Sequence, residues 1–162
     1  MANFILYKED IDRLNRVLAH LLSSASATFV LLVHKDGNLL ANQGYTKAFD
    51  TTSLAALAAG SYAATRAIAQ LIGESEFTVL FHKGKTDNIH ISLVDEDCIL
   101  VLVFDDRTNP GMVRVESEKA IKAINVILDD IRNNEFTDLE SVPAAKSDVV
   151  SQQLDRMFPG ML

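Results

Sequence analysis

The stretch TTSLAALAAGSYAATRAIAQLIG, residues 51–73, carries a single charged side chain, Arg66. Its alanines and leucines predict a helix of about six turns, with Asp50 as its N-cap and Gly73 as its C-cap. At about 100° per residue, Leu54, Leu57, Ser61, Ala64, Ile68, Leu71 and Ile72 gather on one side, which is expected to pack on a sheet. Ala56, Ala59, Gly60, Ala63, Arg66, Ala67 and Gln70 fall on the other. A helix lying between a sheet and water ordinarily exposes Lys, Glu and Gln there. Either alanine was placed for helix propensity, or small side chains let a second macromolecule approach closely. Gly60 favours the second reading, because a mid-helix glycine costs about 1 kcal/mol relative to alanine. On that reading the helix is uncharged because both of its sides are buried.

The rest of the chain says what such a helix can pack on. Ile11, Leu14, Leu18, Leu21 and Leu22 recur at helical spacing, predicting a first helix over roughly residues 8–23. ATFVLLVH and LLANQG read as strands joined by a two-residue turn at Asp36-Gly37. EFTVLFHKG, DNIHISLV and CILVLVF read as three more strands, the last of them central. Asn109 caps, and Pro110 opens, a helix running to about residue 133 with Ile121, Ile124, Leu128 and Ile131 on one stripe. The order α-β-β-α-β-β-β-α with hairpin-joined strands predicts an α+β fold, its five-stranded, mostly antiparallel sheet covered by helices. Residues 1–134 then form the domain, 135–147 a polar linker, and 148–162 a short amphipathic segment capped by Asp148 and too brief to be stable alone. The strand over Phe77, Thr78, Val79, Leu80 and Phe81 is expected at a sheet edge without proline or charge in its middle, so it is disposed to pair with a second copy. Such pairing continues the sheet across a homodimer and sets two uncharged helices side by side.

Chemistry is scarce. The net charge of −7 argues against binding nucleic acid or an anionic membrane surface. No apolar run approaches the length of a membrane span, and MANFILYKEDID turns acidic too soon for a signal peptide, so a cytoplasmic location is expected. Cys98, the lone cysteine, lies in CILVLVF and reads as a buried, inert thiol. His20, His34, His82 and His90 lack metal-ligand spacing, although His82 and His90 could face each other across a hairpin. The glycines are scattered, with no phosphate- or dinucleotide-binding pattern. Asp95, Glu96, Asp97, Asp105 and Asp106 suit turns and caps, and Arg66 and Arg107 stand alone. No catalytic, cofactor or metal site is expected, and the chain reads as an accessory protein with no active site of its own. A small-ligand sensor would need converging polar groups, which the sequence does not reveal.

Over about residues 4–134 the segments DTTSLAALAAG, LIGESEF, FHKG and VFDDRT…GMVRV resemble the roadblock/LC7 family, whose profilin-like fold has this element order. The resemblance implies a homodimer in which two copies attend one small Ras-like bacterial GTPase. It implies promotion of GTP hydrolysis without an arginine finger, in control of cell polarity and gliding motility, with concentration at a cell pole. It implies a GTPase contact over the outward face of the second helix, at Ala63 and Ala67 within the set named above. A further contact is implied at about Val150–Phe158, which includes Leu154 and Met157. Arg66 departs from that pattern by placing a long cation among small residues. The alternative role is a scaffold that tethers a GTPase or motor complex without affecting hydrolysis.

Overall fold

A computed structural model describes residues 5–45, 49–137 and 145–159. Helix α1 (Lys8–Ser24) precedes the hairpin β1 (Phe29–His34) and β2 (Leu39–Gly44). Helix α2 (Thr51–Ile72) leads into β3 (Val79–Lys83), β4 (Asn88–Leu93) and β5 (Cys98–Phe104), followed by α3 (Pro110–Thr137) and α4 (Ala145–Met157). The five strands form one sheet in the order β2-β1-β5-β4-β3, every pairing antiparallel. The expected fold class and element order hold.

Local chemistry accounts for the boundaries. The Asp50 carboxylate accepts from Ser53 N at 3.1 Å and from the Ser53 hydroxyl at 2.6 Å, and Gly73 closes α2 at φ 79°. Asn109 Oδ1 accepts from Met112 N at 2.9 Å ahead of Pro110. In the β1–β2 turn only Gly37 has a positive φ, 96°, while the Asp36 carboxylate accepts from Asn38 N and Asn38 Nδ2. An Asx turn in a longer loop therefore replaces the expected two-residue turn. Helix α3 runs to Thr137, past the expected end near 133, and α4 begins at Ala145, so Asp148 lies within that helix rather than at its cap. Residues 138–144 of the expected linker lie outside the described residues.

Successive side chains of a strand point to opposite faces, and the two faces are filled differently. Val30, Leu32, Leu100, Leu102 and Phe104 join Leu14, Leu18, Ile124 and Ile127 in a core beneath α1 and α3. Phe29, Leu31, Val33, Ile99, Val101 and Val103 meet α2 on the opposite face. Arg13 ties the helices of the first face together, its Nη1 donating to Asp130 of α3 at 2.9 Å while Nη2 pairs with Asp10. Among the described residues no helix is long and apolar enough to cross a membrane.

Candidate interaction surface

Helix α2 turns mostly small residues to the sheet, with Leu54 there as expected. Ala55, Ala58, Ala59 and Ala69 are buried, with Leu54 and Tyr62 packed beside them. Alanine at these positions lets the helix axis come close. A Cβ built on Gly37 of the β1–β2 turn would sit 3.2 Å from the Ala56 Cα. Ala59, expected on the outward face, is 6% exposed and belongs to the sheet contact. Leu57, Ile68, Leu71 and Ile72, expected to pack on the sheet, instead stand out at 70%, 53%, 87% and 65% exposure. Ala64 is exposed with them, and Ser61 is half-buried. The pattern misled because apolar residues occur all round this helix, so hydropathy alone does not say which apolar face meets the sheet.

Ala56, Gly60, Ala63, Arg66, Ala67 and Gln70 are all exposed, as expected. A Cβ on Gly60 would meet nothing within 4 Å, so nothing among the described residues requires that glycine. The outward face is thus a run of small residues bordered by four large aliphatic side chains. Tyr62 anchors the region below α2, its hydroxyl 3.3 Å from Glu76 Oε1. Burial, reinforced by the Glu76 charge, pushes that phenol up to about 12.

Strand β3 is an edge of the sheet, as its position in the chain suggested. Phe77 and Thr78 precede the strand, although Thr78 O still accepts from Leu93 N at 2.9 Å. Val79 and Phe81 are exposed, and the Phe81 ring lies over Phe104 at 6.1 Å. Leu80 points the other way, into the α2-side cluster.

The tail lies elsewhere. Leu154 is 2% exposed within the α1/α3 core, and Val150 and Phe158 pack against it. The Phe158 ring meets His20 edge-on at 5.9 Å, and Met157 is exposed. The sheet therefore separates the α2 platform from the four tail residues expected to share its partner.

Potential chemistry outside these surfaces is muted. Phe81, not His82, pairs with His90, so the two histidines do not face each other. Among the described residues no three His, Cys, Asp or Glu side chains converge on a metal-sized space. Cys98 is buried, and its thiol is pushed up to about 12, chiefly by burial and then by the Asp95 charge. Arg107 is held by Asp105 at 2.9 Å.

An antiparallel sheet with helices on both faces, an exposed edge strand and a charge-poor apolar outer face on α2 is the architecture of a small α+β domain. Residues 13–104 match the Roadblock/LC7 domain model. The chain belongs to the Roadblock/LC7 family. It is similar in structure to Myxococcus xanthus MglB, with 39% identity, TM-score 0.74, and coverage of 78% of this chain and 96% of that one. A Thermus thermophilus gliding protein MglB matches with 31% identity and TM-score 0.72, over 80% of this chain and 98% of that one. The Acanthamoeba castellanii profilin II fold is also similar, at 16% identity and TM-score 0.51, over 68% of this chain and 95% of that one. No curated protein matches the sequence significantly. Family membership and the MglB likenesses support a regulatory role.

Proposed function

We propose that this chain is a homodimeric activator of a small Ras-like GTPase of the MglA type. In this reading two copies engage one GTPase in the cytoplasm, concentrated at a cell pole, in control of polarity and gliding motility. The observation that carries it is the outward face of α2, where Ala56, Gly60, Ala63 and Ala67 lie exposed beside Leu57, Ile68 and Leu71 in a chain 39% identical to an MglB. Another MglB, 30% identical, forms a tetrameric arrangement, which supports self-association.

The mechanism requires no donated catalytic group. A rigid platform acts through its differential affinity for the GTPase conformers. Shifting a switch equilibrium from 1:99 to 99:1 takes about 5.5 kcal/mol of such preference, within reach of a broad apolar contact. The stabilised conformer would place the GTPase's own water and arginine for phosphoryl transfer. Arg66, exposed on the flank of α2, would serve as a docking contact rather than an arginine finger. Residues 148–162 would act as a C-terminal arm, with α4 leaving its seat on α1 and α3 to reach the partner.

Ala63→Arg and Ala67→Arg are expected to leave the fold intact and to abolish capture of the GTPase in a pull-down. Full binding by both variants would reject this docking face. Phosphate release by the GTPase, with and without this protein, separates an activator from a scaffold.

A further inference from the structure

A cleft of about 330 Å³ opens on the other side of the sheet, between β3, β4 and α3. Small-molecule sites span about 300–1,000 Å³ and are mostly apolar with a few placed polar groups. Val79 and Ile121 supply apolar wall here. His90 and Ser92 form the floor, each 3% exposed, with Nε2 and the hydroxyl oxygen 2.7 Å apart. Two polar residues on a strand beside Leu100 and Leu102 are unexpected in a merely packed layer. Above them Arg114 and Lys122, two helical turns apart on α3, stand at the rim with Glu118 between. Arg114 and Glu118 meet at 3.4 Å in a largely exposed pair, which contributes little and releases its members readily.

We infer that this cleft binds a small organic anion, its apolar body against Val79 and Ile121 and its acid group at Arg114 and Lys122. The neutral His90–Ser92 pair offers the body a donor and an acceptor, and burial together with the nearby Arg114 charge holds His90 below its ordinary range. Two cations against one carboxylate leave the rim positive in a chain of net charge −7, so the site selects for anions locally. The cleft and the α2 platform lie on opposite faces, so the inference does not rest on GTPase docking at α2, and it shares Val79 with the edge expected to pair with a second copy.

The test is titration of the full-length protein with phenylacetate and with phenyl phosphate, following the His90 imidazole resonances by NMR. Neutral phenylacetamide and cationic benzylamine serve as controls. A saturable shift with either anion, weaker or absent with both controls, is the expected result, and which anion responds tells a carboxylate from a phosphate ester. Losing a charge-assisted contact on replacing both Arg114→Ala and Lys122→Ala should weaken binding about tenfold or more. Both residues are exposed on α3, so the variant keeps its fold, which its amide spectrum would verify. Absence of any saturable shift, equal binding of phenylacetamide, or unchanged affinity in the double variant would overturn the proposal.

Discussion

Adjacent residues 59 and 60 show how finely burial divides α2. Ala59 sits against the sheet, so Ala59→Leu overpacks the contact and should cost about 1–3 kcal/mol. Gly60 faces open space, so Gly60→Ala should stabilise the isolated protein by about 0.5–1 kcal/mol. Urea denaturation reads both, and opposite signs at neighbouring positions confirm the face assignment. The same Gly60→Ala variant is expected to weaken partner capture if another backbone lies close there. His90 supplies a pH prediction. Burial lowers its pKa below the unfolded value, so its stabilisation is present above the unfolded pKa and is lost as pH falls through the folded one. The unfolded state then binds more protons, and stability should decline from pH 7 to pH 5, less steeply in His90→Gln. Urea midpoints across that interval test it, and parallel slopes would remove His90 as the cause. Neither Ala59's burial nor the His90–Ser92 floor was legible in the sequence. Alanine is compatible with either face of a helix, and the depth of a histidine depends on which helix crosses above its strand.

At the scale of elements, the strands and caps were legible because each carries a local signal. Asp50, Gly73, Asn109 and Pro110 act within one turn of where they stand, and β5 is apolar along its whole length because it is buried on both sides. The C-terminal helix was legible as an amphipathic stripe but not as a docked one, since its seat is built by α1 and α3, more than a hundred residues of chain away at His20. That docking has a thermodynamic consequence. Leu154 belongs to the principal core, so removing residues 148–162 uncovers apolar surface on α1 and α3 and should lower the melting temperature measurably. Leu154→Ala should reproduce part of the loss, bounded above by the about 2–5 kcal/mol typical of buried Leu→Ala changes. A melting temperature indifferent to both would mean that α4 spends its time undocked. Native-state hydrogen exchange would show α4 amides opening before those of β5.

For the whole molecule, the asymmetry between the two faces of the sheet is decisive. Five strands spaced about 4.8 Å apart span some 20 Å, roughly twice the about 10 Å diameter of a helix. The α1/α3 face meets that width with more than one helix, whereas α2 covers its face alone, leaving Leu80, Ile89 and Leu93 only partly buried. A second α2, brought in by pairing β3 with its copy about a two-fold axis, would cover what one helix leaves open. Across a two-fold axis every contact is made twice, so a single substitution acts twice. Val79 is exposed on the free edge and packs into no core cluster, which makes it the position to change. Val79→Lys places like charges across the seam, which is unfavourable between paired strands, and adds the cation that guards natural edges. The expected outcome is a monomer by sedimentation equilibrium at concentrations where the unaltered protein is a dimer, with an unchanged far-ultraviolet spectrum. GTPase capture should fall with the dimer, because half of the platform is gone. A dimer that survives Val79→Lys would mean that the copies meet through another surface, and the exposed aliphatics of α2 would then have to be covered by a different partner.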